Sequence, residues 1–389
     1  MTFDVAIIGA GPAGLCLARA LSGQGLSIAL LERQAEQTLA EPAFDGREIA
    51  LTHASQALLE RLGLWSRLPA EEVAVLRDAH VFNGPSPFAL QIRAEQAGAE
   101  RLGHLVANQA IRRAAYQAVG ECADVQLRCA ASVRAIRQRE REVELVLADG
   151  QLLKTRLLVA ADSRFSETRR QLGIGAQLKD FGKSMLVCRM QHERDHQQVA
   201  WEWFGYGQTL ALLPLNGRQS SVVLTLPPRE IARLQQLDEA AFACEIEQRF
   251  DRRLGSMRLV SSRHTYPLVG AYARRMVGRR CALIGDAAVG MHPVTAHGFN
   301  FGLGSVQRLS ELVLAAQRKR QDIGADDLLA RYERRQRQAT WPLYQTTNLL
   351  VELYTNDRLP MRLLRGAGIR LAQGLRPLKK GIARHITAH

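Results

Sequence analysis

Residues 3–32 read FDVAIIGAGPAGLCLARALSGQGLSIALLE. The apolar run Phe3–Ile8 leads into Gly9-Ala10-Gly11-Pro12-Ala13-Gly14, a helical stretch Leu15–Gly23, and a second apolar strand Ser27–Leu31 closed by Glu32. Strand, G-x-G-x-x-G, helix, strand, acid is the order of a dinucleotide-binding βαβ unit. The glycines allow the tight turn and let backbone approach a pyrophosphate. Glu32, 18 residues after Gly14, is placed to accept from a ribose hydroxyl. This motif alone does not choose between FAD and NAD.

A second stretch, CALIGDAAVGMHPVTAHGFNFGLG at 281–304, repeats the logic at the other end of the chain. An apolar strand (Cys281–Ile284) turns at Gly285-Asp286, passes through His292-Pro293, and starts a helix at Gly298–Asn300 that runs toward Arg320. A carboxylate past a strand end accepts hydroxyl protons. A glycine-opened helix start offers free N–H groups and a positive dipole end to a negative group. Together they suit a large, oxygen-rich cofactor.

At 389 residues the chain exceeds one core, so two packed domains are expected. Its 47% hydrophobic and 23% charged residues are those of a globular protein without a bilayer-crossing run. Met1 leads directly into the first strand, with no basic and apolar leader, which reads as cytoplasmic. Six cysteines lie far apart with no C-x-x-C, so neither a metal site nor a disulfide framework is expected, only buried thiols.

The net charge of +14 has no nucleic-acid signature behind it, and nucleic acid is not an expected partner. The charge is scattered except in the tail, where eight Lys or Arg and no acid follow Asp357, interspersed with Leu359, Met361, Leu363, Leu364 and Ile369. Such a tail suits peripheral contact with an anionic lipid surface or a partner protein, or packs on its own domain with a solvated basic face.

Between the two motifs, Asp45–Thr52 is a loop and strand carrying Arg47, which reaches a cofactor or is a surface arginine. A helix Ser55–Leu62 follows, and Val73–Arg93 alternates as antiparallel strands do. Arg101–Val119 reads as a strand and a helix with Asn108 and Gln109 near its start. Leu157–Ala161 is a buried parallel strand delivering Asp162, with Ser166 and Arg169 behind it. There an acid and an arginine point toward a pyrophosphate, while Asp162 alone also reads as a helix cap. Ser184–Met190, Val199–Phe204, Thr209–Leu215 and Ser221–Leu226 form a sheet with one apolar face for an apolar substrate, followed by a helix Leu237–Phe250 and a strand near Leu259–Tyr266. Trp201, Trp203, Phe204 and Tyr206 line the pocket or fill the core. Two helices, Asp326–Gln345 and Asn348–Tyr354, precede the tail.

The order G-x-G-x-x-G, then Asp162 with Ser166 and Arg169, then Gly285-Asp286 with His292-Pro293, Gly298 and Asn300, resembles the group A FAD-dependent aromatic monooxygenases, the para-hydroxybenzoate hydroxylase superfamily. It spans essentially the whole chain. Arg47–Thr52, Leu59–Trp65, Leu102–Gln109 and HPVTAHGFNFGL are similar to the ubiquinone-biosynthesis hydroxylases. The resemblance implies an α/β fold: a Rossmann-like FAD-binding domain over 1–72, 98–178 and 268–345, an inserted, mostly antiparallel β-sheet substrate domain over 73–97 and 179–267, and a basic helical C-terminal tail over 346–389. It implies FAD, NADPH or NADH as reductant, and a C4a-hydroperoxyflavin as oxidant of an aromatic ring. Gly9, Gly11, Ala13, Gly14, Glu32 and Arg33 would hold the ADP half; Arg47, Gln109 and Asp162 would lie along the pyrophosphate and ribityl chain; Asp286 would take a ribityl hydroxyl. Gly298, Phe299 and Asn300 would face the flavin ring, with Pro293 on its substrate side. No side chain stands out as an acid or base.

The chain departs from the family at several positions. Asp162-Ser163 stands for the usual Asp-Gly, Thr295-Ala296-His297-Gly298 for Ala-Gly-Gln-Gly, Val289 for a frequent histidine, Phe181 for a frequent tyrosine, and Ala107 and Gln109 for a usual Glu and Arg. His297 is either functional beside the pocket or a helix-start residue. Three functions fit: hydroxylation of a polyprenylated phenol or quinol of ubiquinone biosynthesis, in the cytoplasm or at the periphery of the inner membrane; hydroxylation of a small soluble aromatic, or reduction of a prenyl chain; and a non-catalytic flavin-binding subunit of a biosynthetic complex.

Overall fold

The strand Thr2–Ile8 lies inside an eight-stranded sheet, parallel to Ile28–Leu31 on one side and to Leu152–Ala160 on the other. In this computed structural model residues 1–86, 88–292 and 298–355 are described, with Lys380, Gly381 and Ala383. Val5, Ala6 and Ile7 are fully buried, as the unbroken apolar run requires of a strand covered on both faces. The helix Pro12–Leu21 begins earlier than Leu15, because Pro12 presets the helical φ at the first position.

The register of this sheet positions the site. Ile8 pairs with Leu31 and with Ala160, and Ala160 pairs with Leu283 of the strand Cys281–Leu283. Four parallel strands therefore end side by side, delivering Gly9, Glu32, Ala161-Asp162 and Ile284-Gly285-Asp286 to one edge. Ligands of open parallel sheets bind outside such carboxyl ends. The helices Asn108–Gly120 and Gly298–Arg318 pack against Pro12–Leu21 and close the layer.

A nine-stranded sheet stands beyond that edge. Its long strand Ala176–His192 pairs antiparallel with Gln219–Leu226 and with His264–Ala273, and Thr209–Pro214 and Val199–Phe204 extend it. Side chains alternate strictly across it. Leu186, Cys188, Met190, Leu210, Leu212, Val222, Leu224 and Trp203 face the helices Pro228–Gln236 and Glu239–Arg249, while their neighbours face the parallel sheet.

Three local readings change and one pairing is added. Val73–Leu76 does not join the nine-stranded sheet; it pairs with Gly103–Ala107, which also pairs with Glu48–Leu51, in a separate three-stranded sheet. Asp78–Asn83 pairs antiparallel with Ala89–Arg93, as the alternation over Val73–Arg93 implied, and on its other edge runs parallel to Val199–Phe204, a pairing the sequence did not state. Pro228–Gln236 is a helix that the strand-rich sequence concealed. The last helix runs unbroken from Asp326 to Thr355 with Pro342 inside it; the Thr346 hydroxyl donates to the Pro342 carbonyl at 2.9 Å, and buried Tyr344, Thr347 and Val351 hold the later turns to the core.

Most of the tail, residues 356–379, 382 and 384–389, lies outside the described residues. Among the described residues, no helix is long and apolar enough to cross a membrane. Four cysteines are buried thiols; Cys129 is half-buried and Cys244 exposed, which corrects the expectation that all six are buried.

Candidate functional site

The aligned strand ends and the nine-stranded sheet enclose one cavity of about 830 Å³, toward the upper end of the roughly 300–1,000 Å³ typical of ligand sites. Gly9, Gly11, Ala13, Glu32 and Arg33 line it from the N-terminal unit, and Asp286, Gly298 and Phe299 from the distant block. The two motifs share one crevice.

Its first wall is a glycine turn set by contact. Gly9 has φ +104°, and a Cβ there would lie 2.7 Å from the Ala161 carbonyl oxygen. A Cβ on Gly14 would lie 1.9 Å from the Gly9 carbonyl oxygen, so Gly14 serves strand–helix packing and does not itself line the cavity. A Cβ on Gly11 would meet no atom within 4 Å, because Gly11 faces the crevice. Glu32 accepts from the Ala10 N–H at 2.8 Å and the Gln34 N–H at 3.0 Å. A carboxylate has about four lone-pair sites, so acceptor capacity remains for hydroxyl groups.

The middle of the cavity is a set of paired charges. Arg47 donates to Asp45 (2.6 and 3.0 Å) and lies over the Tyr266 ring, and Asp45 also accepts from Asn108 Nδ2 at 2.7 Å. Asn108 and Arg112, four apart on one helix face, line the cavity; Gln109, one residue out of phase, does not. Asp162 faces the cavity while accepting from the Ser166 hydroxyl and, at 3.0 Å, from the Thr168 N–H, so it also supports the first turn of the helix Glu167–Gln171, whose N-cap is Ser166.

The arginine behind Asp162 is not the one the sequence suggested. Arg169 is buried and donates to the carbonyls of Ala287 (2.8 Å) and Arg164 (3.1 Å), bracing two loops from behind. Arg164 is the one that lines the cavity. It donates to Asp286 Oδ2 through Nε and Nη2 (3.2 and 2.9 Å) and to the Val269 carbonyl through Nη1 (2.9 Å), which holds Asp286 in place.

Ser163 has φ +101°. A non-glycine residue held there costs about 1–3 kcal/mol. After the extra chain entropy that glycine loses on folding, Ser163→Gly is expected to stabilise the protein by about 1 kcal/mol, read as a raised denaturation midpoint. An unchanged midpoint removes the strain argument.

Asn300 does not line the cavity. Its Nδ2 donates to the Ala50 carbonyl at 2.8 Å and its Oδ1 accepts from the Thr52 N–H at 3.2 Å, strapping the helix Gly298–Arg318 to the strand Glu48–Leu51. This fixes the helix start whose Gly298 and Phe299 face the cavity. Pro293 and His297 lie outside the described residues. His292 lines the cavity edge-on to the Phe181 ring, and burial pushes its imidazole down to about 4, so it is neutral at physiological pH.

The far wall is the nine-stranded sheet, through Met185, Val187, Glu202, Thr209, Ala211, Leu213, Val223 and Thr225. Trp201 and Trp203 point to the other face and are core; the Trp203 indole donates to the Gly84 carbonyl at 2.8 Å. Phe204 is buried and Tyr206 is 42% exposed, and neither lines the cavity. Glu202 was missed by the sequence reading, although its place between two tryptophans in W-E-W carried the signal: period-two alternation sends it to the opposite face.

The residues fit FAD. The glycine turn leaves an open approach, arginines and backbone N–H groups gather at its mouth, and a fixed acid stands at each end of the polar part.

Comparison with known proteins agrees. Residues 2–347 match a family model described as an FAD binding domain. The chain is 45% identical to the ubiquinone hydroxylase UbiM of Neisseria meningitidis over 388 residues, covering 99% of this chain and 84% of that one. It is 37% identical to the ubiquinone hydroxylase UbiL of Rhodospirillum rubrum over 382 residues, covering 98% and 89%. The crystal structure of p-nitrophenol 4-monooxygenase PnpA from Pseudomonas putida superposes with a TM-score of 0.79 at 17% identity, over 99% of this chain and 98% of that one, which shows a shared fold. Cavity, family model and relatives converge: the chain belongs to the FAD-binding aromatic monooxygenase family that includes the ubiquinone hydroxylases, and is a flavoprotein monooxygenase.

Proposed function

We propose that the protein hydroxylates the aromatic ring of a polyprenylated phenol or quinol on the route to ubiquinone, using FAD with NADPH or NADH as reductant. The observation that carries this reading is the single cavity running from the dinucleotide turn to an apolar sheet wall, in a chain 45% identical to a ubiquinone hydroxylase across 99% of its length. When bound, FAD supplies the oxygen-activating chemistry. The chain's own residues hold it and exclude water.

In this reading the backbone of Gly9, Gly11 and Ala13 takes the pyrophosphate, and Glu32 and Arg33 the adenosine side. Arg47, Arg112, Asp162 and Arg164 line the phosphate and ribityl path, with Asp286 on a ribityl hydroxyl. The helix start at Gly298 and Phe299 places N–H groups and a positive dipole end beside the flavin ring, favouring negative charge there. Met185, Val187, Ala211, Leu213 and Val223 give the substrate an apolar face and keep water from the reacting centre. Residues 1–72, 98–178 and 268–345 act as the FAD unit, and 73–97 with 179–267 as the substrate unit, except that Val73–Leu76 pairs with Gly103–Ala107 of the FAD unit. The basic, apolar-dotted tail suits peripheral contact with an anionic membrane or a ubiquinone-biosynthesis complex, where lipophilic substrates reside.

The test is mass spectrometry of lipids from a strain lacking the gene. A prenylated precursor short of one ring hydroxyl is expected to accumulate. An unchanged quinone profile removes the reading in favour of a small soluble aromatic substrate or a prenyl-chain reductase. Purified protein separates catalysis from mere flavin binding: labelled O₂ is expected to leave one oxygen atom in the product.

A further inference from the structure

Among the described residues of the nine-stranded sheet that line the cavity, Glu202 is the one ionisable group. In register it pairs with Ala211, Ala211 with Val223, and Val223 with Val187, so an apolar row about 14 Å long ends in a carboxyl group. The adjacent row runs Thr209, Thr225, Met185. On its other side Glu202 stands opposite Val81 of Asp78–Asn83. The flanking Trp201 and Trp203 are packed into the far face, which leaves the carboxyl no route but into the cavity.

There it makes no hydrogen bond or ion pair among the described residues, and burial is the only influence on its proton affinity. Charged groups that line the cavity elsewhere are already engaged: Glu48 pairs with Arg189, Arg47 with Asp45, and Arg164 with Asp286. Glu202 is half-buried, its carboxyl meeting solvent only through the cavity; a carboxyl so placed without a partner is unfavourable, and such a group is retained where a ligand completes it.

We propose that Glu202 receives the phenolic hydroxyl of the substrate ring, accepting its hydrogen bond and then its proton. The proposal rests on the ring-hydroxylase reading above. In the step, the phenolic O–H bond breaks, an O–H bond forms on the carboxylate, and the electron pair stays on the ring oxygen, enriching the ring for attack by an electrophilic oxygen. Burial pushes the carboxyl up to about 8, so the carboxylate that accepts the proton is the form populated as pH rises through that value, and transfer to it from a phenol near 10 is not strongly uphill. The rest of the wall is aliphatic or hydroxyl-bearing, with Thr209 and Thr225 the other polar contacts available to ring oxygens.

The experiment titrates FAD-loaded protein with 2-geranylphenol and with its methyl ether, 2-geranylanisole, following the flavin absorbance change. Above pH 8, where the carboxylate is populated, the wild type is expected to bind the phenol about 10-fold or more tighter than the ether, as a charge-assisted hydrogen bond implies, and the preference should fall as pH drops through about 8. Glu202→Gln should lose both the preference and the pH dependence while keeping its flavin; Glu202→Asp, which keeps a carboxylate, should retain part of both. Wild-type binding of both ligands with no preference, or a Glu202→Gln protein with unaltered preference and pH profile, overturns the assignment and leaves the hydroxylase reading standing. Failure of the wild type to bind either ligand removes both. If both variants purify without flavin, Glu202 is a folding residue and the assignment falls.

Discussion

Gly11→Val will purify folded and colourless, whereas Gly14→Ala will fail to fold. The two glycines belong to one motif, yet their surroundings differ in kind. At Gly11 the backbone has φ −70° and ψ 176°, which valine adopts readily, and an added Cβ meets nothing within 4 Å. The protein does not object to the side chain; only a ligand approaching the turn would. At Gly14 the same atom falls 1.9 Å from the Gly9 carbonyl oxygen and 3.1 Å from its carbon. Backbone cannot step aside there, because Gly9 is itself fixed against Ala161 at the end of the central strands. The cost should exceed the ~1–3 kcal/mol of ordinary overpacking. Far-UV circular dichroism with flavin absorbance reads both outcomes. A Gly11→Val protein that purifies yellow with full FAD content would show that the cofactor does not lie across this turn.

This contrast marks what was legible in the sequence. The βαβ unit, the Gly285-Asp286 turn and the helix start at Gly298 were readable because each is a local pattern whose spacing fixes its geometry. Their convergence on one cavity follows from strand register, Ile8 with Ala160 and Ala160 with Leu283, which no local pattern states. Where the reading slipped, the missing information was phase or partner. Asn108 and Arg112 face the cavity and Gln109 does not, a matter of about 100° on a helix. Arg164 reaches Asp286 while Arg169 turns behind the loop, a difference of direction that residue type does not state. Glu202 was visible in W-E-W as standing on the opposite face from its neighbours, but which face met a cavity depended on the helices Pro228–Gln236 and Glu239–Arg249 covering the other. Val73–Leu76 had the alternation of a strand and could not announce which sheet it would join.

Arg189→Met is expected to cost about 3–5 kcal/mol, the price of leaving a buried carboxylate unpaired. The Glu48 side chain is 1% exposed and is held by Arg189 Nη2 at 2.7 Å and Nε at 2.8 Å; the same guanidinium reaches Glu72 at 2.8 Å and lies over the Phe44 ring. This cluster ties the strand Glu48–Leu51, which borders the cavity, to the long strand Ala176–His192 of the far wall. Burial already pushes the Glu48 carboxyl above its ordinary 4.5, with Arg189 opposing the rise. Removing the arginine lets burial act alone, so the folded-state value climbs further. A group whose folded value is raised favours the folded state below its unfolded value and loses that contribution as pH rises through the folded one. The deficit of Arg189→Met should therefore be small near pH 4.5 and grow toward neutrality. Adding Glu48→Gln removes the charge that carries the cost, and the double variant should recover most of the loss. Urea unfolding of the single and double variants at pH 5 and pH 8 decides it: a deficit independent of pH, or a double variant no more stable than the single one, would place the effect in lost side-chain packing around Phe44 instead of in the uncompensated charge.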